Sequence, residues 1–112
     1  MEQIVFSYNW NKKLECNYFT TLRISPRITV GEKYQVMLKG FPYKVVKCVH
    51  KEAVMMRNLS DNMCWLDTGY GREGTIKILK RMYPVVIWET TPLYICVLET
   101  QKDKIQVAEL PL

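Results

Sequence analysis

Thr21 and Arg23 stand two residues apart in the run Asn17-Tyr18-Phe19-Thr20-Thr21-Leu22-Arg23. β-Branched and aromatic residues dominate the run, which predicts a strand. Side chains alternate along a strand, so Phe19, Thr21 and Arg23 share one face and Thr20 and Leu22 the other. A hydroxyl beside a guanidinium reads an anion or a base edge if the pair lines a cavity, because the planar fork of arginine suits both. Otherwise the two belong to an ordinary half-buried strand, with Arg23 paired to a neighbouring acid. Asp67 could accept from a base amine or pair with Arg23; the alternative is an aspartate at a helix end. Tyr18 and Tyr70 offer ring faces on which an unstacked base can lie, or they pack over the mouth of a barrel. Lys33, Lys39 and Lys44 could track a phosphate backbone, or they form a solvated strand face.

Other chemistries find less support. Cys16, Cys48, Cys64 and Cys96 are widely spaced with no Cys-x-x-Cys pair, and the one histidine, His50, does not complete a zinc pattern. The cysteines are expected as free thiols, mostly buried as small hydrophobes. His50 lacks a Ser or Cys partner in any catalytic pattern, so no metal, no cofactor and no firm catalytic residue are expected.

The elements that must hold these residues can be read in order. Ile4 to Tyr8 predicts a first strand, broken by the polar Asn9 to Lys13. Phe19 to Arg23 is the second, ended by Ser25-Pro26. Lys33 to Lys39 alternates cleanly: Tyr34, Val36 and Leu38 face a core, and Lys33, Gln35, Met37 and Lys39 face water or a ligand. Tyr43 to His50 resumes after Gly40-Phe41-Pro42, giving a β-hairpin over 33–50. Ser60 is a plausible N-cap for a short helix through Leu66, stopped by the glycines at 69 and 71. A second helix runs from about Arg72 to Tyr83, with Ile76, Leu79 and Tyr83 on its apolar side and Lys77, Lys80 and Arg81 opposite, and Pro84 ends it. The three tryptophans, Trp10, Trp65 and Trp88, read as core or barrel-end packing. Pro92 to Leu98 is apolar on both faces, as a central strand is, and Lys104 to Leu110 reads as a last edge strand. The fold class is therefore α+β: a small, mostly antiparallel, closed or nearly closed barrel with two short helices packed at one side.

The 112 residues fit one domain, 1–112, with 48% hydrophobic and 24% charged residues, a globular balance. No stretch approaches the roughly 20 apolar residues that span a bilayer, so no membrane partner is expected. The N-terminus lacks a basic leader and a long apolar run, so a cytoplasmic location is expected. The net charge is +5, but residues 1–60 carry +6 and residues 61–112 carry −1. A basic half suggests a polyanion partner, or serves solubility.

Four pieces in this order resemble the ASCH family of the PUA-like β-barrel superfamily. They are Thr21-Leu22-Arg23, Val30-Gly31-Glu32-Lys33-Tyr34, Leu66-Asp67-Thr68-Gly69-Tyr70 and Lys80-Arg81-Met82-Tyr83-Pro84. The resemblance spans about residues 4–99. The piece around Asp67 is also similar to small uncharacterised proteins of T-even-like tailed phages. The resemblance implies a PUA-like barrel with a cleft between barrel and helices, and association with RNA or modified nucleotides. Some family members are small amidohydrolases acting on an acylated cytidine through a lysine, a threonine and a glutamate. Carried over, the family's Thr-x-Arg falls on Thr21 and Arg23, its lysine position on Tyr18, and its glutamate near Asp67 or Thr68. The expected function is an RNA- or modified-nucleotide-binding module, possible as a phage accessory protein in the host cytoplasm. The alternatives are a phage accessory protein that binds a host protein, and a nucleoside amidohydrolase using Thr21 and Asp67. Tyr18 at the lysine position weighs against the enzyme.

Overall fold

Strands β1 (Gln3–Phe6), β2 (Tyr18–Arg23), β3 (Lys33–Leu38), β4 (Phe41–Val54) and β5 (Leu93–Thr100) form one curled sheet, a half-barrel, in the order β1-β3-β4-β5-β2. Helices α1 (Asp61–Thr68) and α2 (Arg72–Met82) complete an α+β fold, with 3-10 segments at Trp10–Glu15 and Met56–Asn58. The structure is a computed structural model that describes residues 1–106. β1 and β3 pair in parallel; the β3–β4, β4–β5 and β2–β5 pairs are antiparallel.

The 33–50 hairpin forms as its alternation predicts. Its turn places Lys39 and Gly40 both at positive φ, 51° and 83°, the backbone that matches the twist of the flanking strands. Two bulges, opposite Val36/Met37 and between Cys48 and His50, curl the long β4. The strand continues past His50 to Val54.

The sheet buries residues on both faces. Inside the curl lie Ile4, Phe6, Phe19, Val36, Val46 and Leu98. Between the sheet and the helices lie Leu22, Leu59, Cys64, Leu79, Leu93 and Ile95. β2 and β5 contribute to both sets by alternation, which is why β5 is apolar on both faces. Cys48, Cys64 and Cys96 are buried and Cys16 is exposed, all as free thiols. Burial pushes Cys96 up to about 11, with the neighbouring Cys48 adding to it.

The helices start and stop where local chemistry dictates. Ser60 Oγ accepts from the Met63 amide at 3.2 Å, and α1 ends on Gly69 at φ 82°. A buried contact between the Thr68 and Thr75 hydroxyls, 2.7 Å, ties α1 to α2. Gly69 is tightly placed: a Cβ there would lie 3.1 Å from the Asn11 side chain. Gly69→Ala is therefore expected to cost about 1–2 kcal/mol, from left-handed strain plus that contact, and thermal unfolding measures it.

The outer strands of the half-barrel, β1 and β2, are bridged by Arg23, which donates to the Val5 carbonyl at 2.8 Å. Three features differ from the sequence reading. Gln35 is buried rather than facing water, because its side-chain amide bonds both the N–H and the C=O of Gln106. Residues 104–106 are not a strand, and the remainder of the expected edge strand, 107–110, lies outside the described residues. Trp65 is also 53% exposed and not core. No helix among the described residues is long and apolar enough to cross a membrane.

Candidate nucleotide-binding cleft

Thr21, Arg23 and Asp67 converge. They line one cleft between the open side of the half-barrel and α2, together with Lys13, Trp10 and Tyr83. β2 delivers Thr21 and Arg23 on one face, as alternation requires, and the last turn of α1 delivers Asp67.

Lys13 arrives by a less regular route. Asn11 and Lys12 both take left-handed backbone, φ 56° and 53°, and the Asn9 carboxamide accepts from the Leu14 amide at 2.9 Å. This tight reversal drives Lys13 and Leu14 inward. Lys13 ends 4% exposed and Asp67 5% exposed. The Lys13 ammonium donates to Asp67 Oδ1 at 2.9 Å, and the Thr20 hydroxyl donates to the same oxygen at 2.9 Å. Asp67 therefore pairs with Lys13, not with Arg23 as the sequence had allowed. Burial pulls the Lys13 pKa down; Asp67 opposes this and nearby Arg23 adds to it.

Arg23 is held across the cleft. Its Nε donates to Thr21 Oγ1 at 3.0 Å, its Nη2 donates to the Val5 carbonyl at 2.8 Å, and its guanidinium lies 4.8 Å from the Phe6 ring centre. Burial lowers its pKa, with Tyr83 and Asp67 opposing, and a guanidinium remains charged throughout. Among the described residues, Arg23 Nη1 and Asp67 Oδ2 have no hydrogen-bond partner. The cleft thus presents a fixed donor fork and a fixed acceptor. Along its rim, the Tyr8 and Trp10 rings sit edge-on at 4.8 Å, and Tyr70 joins Trp10 at 6.4 Å.

The other sequence candidates lie elsewhere. Tyr18 is exposed and donates to Glu99, its cross-strand partner; that bond raises the Tyr18 pKa and lowers that of Glu99. Its ring lines a separate, mostly apolar groove with Phe19, Thr20 and Leu66. Lys33 pairs with Asp103 at 3.1 Å, Lys39 sits at the hairpin turn, and Lys44 donates to the Cys16 carbonyl at 2.8 Å. They do not form one stripe with the cleft. Sequence reasoning gave Lys13 and Thr20 no role in the site and read Trp10 as core or barrel-end packing. Asn9 and Asn11 were the available signal, since asparagine tolerates turn and left-handed backbone.

No family model and no curated protein matches the chain. Among solved structures, the chain is similar to the crystal structure of protein EF3133 from Enterococcus faecalis V583, described there by the family name DUF984. The two share 12% identity and a TM-score of 0.62, covering 100% of this chain and 87% of that one. At this identity the likeness is one of fold.

Proposed function

We propose that the cleft binds a single nucleobase, from a modified nucleotide or an unstacked base of RNA, in an ASCH-type, PUA-like manner. One observation carries this reading: the unpartnered Asp67 Oδ2 and Arg23 Nη1 present an acceptor and a donor in the same aromatic-rimmed cleft. An exocyclic amine suits the carboxylate, and a ring carbonyl or phosphate suits the guanidinium. The cleft is small, about 80 Å³, which favours one base over a length of polymer. The order of the Thr-x-Arg, Gly-Glu, Leu-Asp-Thr-Gly-Tyr and Met-Tyr-Pro pieces supports the same family reading.

A second reading has its own support. The buried Lys13 brings to Thr21 and Asp67 the ammonium that the hydrolase form of the family requires and that Tyr18 does not supply. Such an enzyme would add water across an N-acyl bond, releasing a carboxylic acid and the free cytosine amine. Titration of cytidine, its 5′-phosphate and N4-acetylcytidine, followed by NMR, tests both readings. Saturable binding of at least one, weakened at least about tenfold in Arg23→Ala, is expected. Acetate release from the acetylated compound, abolished in Thr21→Ala, would establish the enzyme. Absence of binding to all three and to short RNA at millimolar ligand would end the nucleotide reading.

A further inference from the structure

A second groove lies along α2, lined by a different set of its residues from those that line the cleft. α2 turns Leu79 and Tyr83 toward the cleft, and Arg72, Ile76 and Lys80, spaced four apart, toward this groove. Met56 and Arg57 from the 3-10 segment and Val86, Trp88 and Glu89 complete its lining. The groove is larger than the cleft, about 400 Å³ against about 80 Å³.

Its charges are not neutralised internally. Among the described residues the ion pairs are Lys13–Asp67, Arg27–Glu2, Lys33–Asp103 and His50–Glu52, so Arg57, Arg72 and Lys80 take part in none. Arg72 donates to the Leu59 carbonyl at 3.0 Å and to the Met56 and Arg57 carbonyls at 3.4 Å, and Arg57 donates to the Glu89 carbonyl at 3.5 Å. Carbonyls orient these guanidinium groups without cancelling their charge. Among the described residues, the carboxylate of Glu89 is the one acid lining the groove. Trp88 is half-buried at its edge, with its ring 6.2 Å from Tyr83 of the cleft, so one aromatic pair joins the two sites.

We infer that this groove holds the phosphates of a single-stranded nucleic acid whose neighbouring base occupies the cleft. This deepens the proposed function and rests on it for the base. Cations oriented by carbonyls track a phosphate backbone, and an indole adds a sequence-tolerant stacking plate. One acid against three cations keeps the groove net positive.

The test uses the full chain, with a labelled ten-nucleotide single-stranded RNA followed by fluorescence anisotropy and cytidine 5′-phosphate followed by NMR. The Arg57→Gln, Lys80→Gln double variant replaces two exposed side chains outside the cleft. It should bind the RNA at least about tenfold more weakly at low salt, with the slope of log affinity against log salt reduced by about 1.4. Its affinity for the mononucleotide should equal that of the unaltered chain. Unaltered RNA affinity and salt slope in the double variant would overturn the groove, as would tighter binding of an acidic peptide than of RNA. RNA binding that needs Arg57 and Lys80 but survives Arg23→Ala would keep the groove's phosphate contact and overturn its coupling to the cleft. No mononucleotide binding by the unaltered chain would count against the cleft alone.

Discussion

Asp67→Asn should destabilise the protein by about 3–5 kcal/mol at pH 7, as removal of one member of a buried ion pair does. Lys13 is 4% exposed and makes its one side-chain hydrogen bond, among the described residues, to Asp67. Asparagine keeps the shape and an oxygen, but it leaves an ammonium buried without a counter-charge. The double replacement Lys13→Met with Asp67→Leu removes both charges at similar volume, and it should be neutral or stabilising. Urea unfolding of the single and double variants measures both outcomes. A single-variant cost below about 1 kcal/mol would show that water reaches the pair.

The same pair sets a pH dependence. Lys13 has a folded pKa below the ordinary 10.5, chiefly through burial. Between its folded and unfolded values the unfolded chain binds more protons, so stability rises with pH across that window. The penalty of the buried ammonium is fully present below the folded value. In Asp67→Asn the attraction that holds the pKa up is gone, so the window opens at lower pH. The stability gap between the variant and the unaltered chain should therefore narrow as pH rises toward 10. A gap constant with pH would mean that Lys13 is not the group left unpaired.

The sequence made much of this architecture legible because it was written in local terms. The alternation of Lys33 to Leu38, the Ser60 cap, the Gly69 stop and the two-sided apolarity of Leu93 to Leu98 each follow from periodicity or backbone preference. Strand parity also placed Thr21 with Arg23 correctly. The same parity puts Tyr18 with Thr20 on the other face of β2, where it meets Glu99 across the ladder and stays outside the cleft. Lys13 was only partly legible, since Asn9 and Asn11 mark a turn but not where it sends the next residue. Its position depends on left-handed backbone at Lys12, which lysine does not favour, and on a partner 54 residues away in sequence. Gln35 was misread likewise, because the group that covers it comes from Gln106, 71 residues later.

Arg23 gives the other large expected effect, and it acts on fold and ligand at once. Arg23→Ala removes the fork that ties β2 to the Val5 carbonyl of β1 and orients the Thr21 hydroxyl. Hydrogen bonds to charged groups contribute about 1.5–3 kcal/mol each, so the loss of these two should cost at least about 3 kcal/mol of stability. Ligand affinity should fall at least about tenfold. Arg23→Lys separates the two roles. Lysine restores a positive charge but cannot span Val5 O and Thr21 Oγ1 while leaving a third donor for ligand, because its ammonium is a point on a flexible stem. It should recover the part of the affinity that salt screens and leave β1 unclamped. Hydrogen exchange can read the clamp directly: amides of β1 should exchange faster in both variants than in the unaltered chain. If Arg23→Lys matched the unaltered chain in both exchange and affinity, charge alone would explain Arg23. The cleft would then need no planar fork, and recognition of a base edge by Arg23 would lose its geometric ground.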